Sequence, residues 1–130
     1  MTEFEVAEIT AANLDVMAAF MSNYATHLGI YLSLLFGYCA AAYAAGSKLS
    51  IFQVVLASIM FVAAAEMQVN AMVNWVSGAQ EILITTSQIN PDVTPGALNI
   101  WGRAIGVIIW QLGILGCLSF MWSVRHQEKK

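Results

Sequence analysis

Three long stretches of the chain carry no formal charge: residues 16–47, 49–65 and 104–124. Glu66 ends the second of them. A membrane-spanning helix needs about 20 mostly apolar residues. The pattern therefore predicts an all-α membrane protein with three transmembrane helices, spanning about residues 25–46, 49–72 and 101–124.

The first helix is expected over residues 3–46, with a break near Ser22–Asn23. Its outer extension, residues 3–24, is amphipathic, with alanines interleaved among Glu5, Glu8, Asn13 and Asp15. Gly46, Ser47 and Lys48 form a tight turn, because Gly ends helices and Ser opens the next one. The second helix is expected from Ser50 to Thr86, about 55 Å at 1.5 Å per residue, against a hydrocarbon core of about 30 Å. Helices 1 and 2 should both extend beyond the same outer face. Residues 87–99 hold Pro91, Pro95 and Gly96 and read as an outer loop. Asn99 or its neighbours then cap a third helix that runs to Val124.

Composition agrees with bilayer burial. The 130 residues are 59% hydrophobic and 10% charged, where a soluble domain carries about 25% charge. One integral membrane domain over residues 1–130 leaves no room for a separate catalytic domain. Charge placement predicts orientation. Residues 1–27 hold Glu3, Glu5, Glu8 and Asp15 and no Lys or Arg. Lys48 lies in the first turn, and Arg125, Lys129 and Lys130 lie in the tail with Glu128. Positive segments stay cytoplasmic. The expectation is a bacterial inner-membrane protein with its N-terminus outside and its C-terminus in the cytoplasm. Tyr43, Trp101 and Trp122 fall at predicted span ends, where aromatics favour the interface. Trp110 falls within a span.

Glu66 is the main candidate for chemistry. Counted from Leu49 it lies about 25 Å along its helix, in the outer part of the bilayer. A charged side chain there must face protein or water. Asn70 and Asn74 follow at four-residue steps, Ser58 precedes by two such steps, and Glu81 continues outward. This polar stripe has two readings: hydrogen-bonding glue between helices or subunits, or the lining of a water-filled vestibule. Tyr24, Tyr31 and Tyr38 recur every seven residues on the first helix. Buried phenols and amides need partners in lipid. The expected pairs are Tyr31 or Arg103 with Glu66, and Tyr38 with Gln111.

Small residues form a second pattern. Gly29, Ser33, Gly37, Ala41 and Ala45 follow one another at four-residue steps, nearly opposite the tyrosines. Gly102 and Gly106 form a GxxxG on the third span, which Gly113, Gly116 and Cys117 extend. Such faces let helices approach closely in lipid, either within one chain or between chains. Cys39 and Cys117 read as two small buried hydrophobes, with a transmembrane disulfide open because spans one and three run in the same direction. His27 reads as interfacial, and His126 belongs to the basic tail.

No cofactor, metal or nucleic-acid site is expected, and no catalytic constellation is present. The leading expectation is a small non-enzymatic membrane protein in contact with the lipid bilayer. It would form a homo-oligomer or join other membrane subunits. The alternative is an oligomeric pore whose outer vestibule is lined by Glu66, Asn70 and Asn74. Three spans with the N-terminus outside and a basic C-terminal tail are similar in topology to one class of phage holin, and that resemblance implies a pore. The acidic N-terminal helix lies outside it.

Overall fold

The first two helices start at positions chosen by side-chain capping. The computed structural model comprises α1 (Glu3–Ala45), a 3-10 turn (Gly46–Lys48), α2 (Ile51–Ile89) and α3 (Ile100–Gln127). It describes residues 1–94 and 100–127, without the side chains of Ser47, Ile100, Trp101, Gly102, Arg103 and Gln127. Thr2 and Glu5 form a reciprocal capping box at the start of α1, with the Thr2 amide 2.7 Å from the Glu5 carboxylate. The Thr2 backbone and hydroxyl hydrogen bonds hold the Glu5 carboxyl below its usual pKa. Ser50 and Gln53 make the same box for α2. These side chains satisfy amides that the first helical turn leaves without partners.

All three helices are long and apolar enough to cross a membrane. The 43 residues of α1 and 39 of α2 correspond to about 64 and 58 Å, roughly twice a hydrocarbon core. The break expected at Ser22–Asn23 does not occur. Thr26 donates to the Ser22 carbonyl at 3.1 Å, and the helix continues. α2 runs beyond Thr86 to Ile89, so the connection starts at Asn90, whose amide bonds the Thr86 carbonyl. α3 passes Val124, with His126 Nδ1 donating to the Trp122 carbonyl at 2.8 Å.

α1 and α2 pack antiparallel along their length. Partly or fully buried positions on α1 include Thr10, Met17, Tyr24, Tyr31 and Tyr38, with Asn13, Phe20, His27 and Leu34 between them. This is a seven-residue repeat, the spacing that keeps one seam facing a partner helix. α2 answers with Ser58, Ala65, Met72, Ala79 and Thr86, again seven apart. Bulky side chains of α1 thus face mostly slim positions of α2. Tyr38 stacks on Phe61 with centroids 4.2 Å apart, and Phe20 meets Trp75 at 5.3 Å. Gly78 is required where Phe20 crosses, since a Cβ there would lie 2.6 Å from the ring.

α3 covers only part of this hairpin. It runs parallel to α1, with Ile114, Cys117 and Met121 joining the core of Tyr31, Tyr38, Ala42, Phe61, Ala65 and Met72. Gly46 at the turn sits against Met121 and Val124. The remaining surface is apolar: Phe36, Phe52, Ile59, Met60, Ile109 and Leu112 are all exposed. In water such a surface would aggregate, whereas lipid solvates it.

Crowding at Gly78 sets up a direct comparison. Gly78→Ala should destabilise the protein by about 1–3 kcal/mol through overpacking against Phe20. Gly116→Ala, in open space, should be neutral or stabilising by up to about 1 kcal/mol through helix propensity. Chemical unfolding in detergent, followed by helical circular dichroism, checks both. Equal responses would remove Gly78 from the close approach.

Candidate functional site

The polar side chains of the spans are sorted by helix rotation. Each residue turns the helix by about 100°, so a four-residue step drifts about 40° around the axis. The stripe from Ser58 through Glu66 to Asn74 therefore winds around α2. Ser58 faces α1, where its hydroxyl meets Tyr38 Oη at 2.7 Å. Glu66 is half-buried and faces α3, where Gln111 Nε2 donates to its Oε2 at 3.1 Å. Asn70 and Asn74 emerge on the exposed side, and Asn70 donates back to the Glu66 carbonyl at 2.9 Å.

Tyr31 lies within electrostatic reach of Glu66, whereas Tyr38 takes a partner other than Gln111. Tyr31 donates to the Trp110 carbonyl, with the Glu66 carboxylate nearby. Tyr38 pairs with Ser58 and not with Gln111. The cause is the placement of α3 along α1. Gly113 lies opposite Tyr31, where a Cβ would stand 2.6 Å from the phenol oxygen, and Cys117 lies opposite Cys39. Gln111 is thereby brought level with Tyr31 and Glu66, about two turns from Tyr38. Gly113 lets α3 come close to Tyr31 and Leu35. Among the described residues, Gly106 meets only the Trp110 ring of its own helix. Gly102 and the Arg103 side chain lie outside the described residues.

Gln111 stands midway between positions 101 and 122, the first and last of the three tryptophans of α3. At 1.5 Å per residue it lies about 15 Å from each. Glu66 thus meets α3 near the middle of that helix. The Gln111 amide carries both a donor and an acceptor, so it can serve a carboxylate or, after rotation, a carboxylic acid. The arrangement can hold Glu66 in either form.

His27 is the residue that sequence reasoning missed. Its Nδ1 lies 2.7 Å from Gln68 Oε1, and its ring stacks with Trp75 at 6.5 Å. Since the amide oxygen only accepts, Nδ1 carries the proton of this bond. The signal was available: His27 lies seven residues from Phe20 and from Leu34, in the α1 seam. Farther out, Asn13 donates to Thr86 at 3.0 Å and Asn90 to Thr10 at 3.4 Å. These bonds clasp the far ends of α1 and α2.

The outward stripe of α1 is equally defined. Gly29, Ser33, Gly37 and Ala41 are exposed, and a Cβ on Gly29 or Gly37 would meet nothing within 4 Å. Ala45, carried around by the same drift, is half-buried. Among the described residues, these two glycines make no helix packing contact within the chain. Among the described residues, no group of three or more His, Cys, Asp and Glu converges as a metal site would require. A groove of about 470 Å³ between the far halves of α1 and α2 is lined by Asn13, Phe20, Gly78 and Glu81 and opens broadly outward.

The Glu66–Gln111 contact makes a testable cycle. Glu66→Leu or Gln111→Leu alone should destabilise by about 0.5–2 kcal/mol, because each leaves a polar partner inside the membrane domain. The double variant should recover part of that loss, and Glu66→Gln should retain the bond. Unfolding in bicelles measures all four, and strictly additive effects would show that the pair is uncoupled. Comparison with protein families, curated proteins and solved structures finds no match to this chain, so its functional reading rests on this geometry.

Proposed function

We propose that the chain is a non-enzymatic integral membrane protein that self-associates through the small-residue face of α1. The observation that carries this reading is the open space over Gly29 and Gly37, with Ser33 and Ala41 exposed between and beyond them. Lipid tails give helices no hydrophobic reason to associate, so close backbone approach and interhelical bonds drive assembly. This face permits such an approach by another copy, while the seam side of α1 is filled by α2. The same face would also suit a different membrane subunit of comparable shape. The basic turn and tail support a cytoplasmic C-terminus, with the acidic α1–α2 arm projecting on the opposite side.

A second reading is a conduit. Asn70 and Asn74 are exposed on α2 beyond the Glu66 contact. In an oligomer that turned this face inward, they would line a vestibule above a Glu66–Gln111 ring.

Two measurements separate the readings. Gly37→Leu should convert a uniform oligomer to monomer by native mass spectrometry in mild detergent. An unchanged oligomer removes this face from the interface. Glu66→Ala should leave ion flux across protein-containing liposomes at the lipid-only level, as should the unmodified protein. Flux with the unmodified protein that Glu66→Ala alters would favour the conduit.

A further inference from the structure

Cys39 and Cys117 come from helices joined only through the long α2 hairpin arm, yet their sulfurs stand 3.3 Å apart. Both sulfurs are also placed by bonding: Cys39 donates to Cys117, whose thiol in turn faces the Leu35 carbonyl at 3.7 Å. Cys117 is buried and Cys39 half-buried, so the pair is reachable from the side of Cys39. Both are free thiols. A covalent bond requires the sulfurs to close from 3.3 Å to about 2.05 Å, a little over one ångström.

We propose that Cys39 and Cys117 form a reversible intramembrane disulfide that locks α3 onto α1. The site lies within the apolar part of both helices, one and a half turns short of Trp122. An oxidant must therefore enter through lipid, and the fitting chemical class is a membrane quinone, which accepts electrons from protein dithiols elsewhere. The step balances. Each thiol loses its hydrogen, one sulfur–sulfur bond forms, and two electrons and two protons convert the quinone to quinol. α3 touches the hairpin over one side only, so the crosslink fixes the least secured helix. Oxidation would thereby hold Gln111 against Glu66.

The test uses the full chain in liposomes treated with duroquinone, whose fully substituted ring leaves no free position for thiol addition. The protein is then unfolded in detergent and alkylated with maleimide. The expected result is loss of both alkylation sites, intact mass lower by two hydrogens, and recovery of both sites after dithiothreitol. The oxidised monomer should also show a higher thermal midpoint than the reduced one. In Cys39→Ser and Cys117→Ser, the remaining thiol should stay open to maleimide after the same treatment. Retention of both thiols in the unmodified protein would overturn the proposal. So would disulfide-linked dimers in place of the internal bond, or loss of the single thiol in either variant.

Discussion

The antiparallel seam between α1 and α2 is the constraint on which everything else depends. It is built from bulky residues at seven-residue intervals on α1 and mostly slim ones at the same interval on α2. A seven-residue repeat drifts only about 20° per two turns, so a single face remains engaged over a long distance. That persistence allows two helices much longer than a bilayer to stay paired. It also places Tyr31, Tyr38 and His27 between helices, where each finds a partner. The far-end bonds of Asn13 and Asn90 continue the same seam where water replaces lipid.

Once the hairpin is set, polar groups determine where α3 rests. Hydrogen bonds within a bilayer have little competition from water, so an unpaired group there is costly. The Trp110 carbonyl, the Gln111 amide and the close approach at Gly113 form a coherent set of contacts with Tyr31 and Glu66. The cysteines one and a half turns farther along meet for the same reason. Helix α3 is positioned by a few specific contacts, in contrast to the continuous seam of the hairpin.

Two four-residue patterns behave differently for a shared geometric reason. The small stripe on α1 and the polar stripe on α2 both drift about 40° per step. On α1 the drift keeps Gly29 to Ala41 outside and then turns Ala45 toward the interior. On α2 it divides Ser58, Glu66 and Asn74 among α1, α3 and the exposed surface. Treating either pattern as one flat face hides this division. The seven-residue tyrosine pattern was the more informative sign, because its drift is smaller and opposite in hand.

The sequence by itself determined the helical class, the three apolar spans, the tight turn and the excess length of the first two helices. Those features follow from local spacing, capping residues and hydropathy, which depend on near neighbours along the chain. It also identified Glu66, Gln111, Tyr31 and Tyr38 as groups in need of partners. Which groups pair was decided only by the tertiary structure. Pairing depends on the rotation of each helix and on the axial offset of α3, and a shift of two turns exchanges one partner for another. Helix rotation brought His27 into the α1–α2 seam and left Gly29 and Gly37 facing outward, and the offset of α3 joined two cysteines that stand 78 positions apart in the chain.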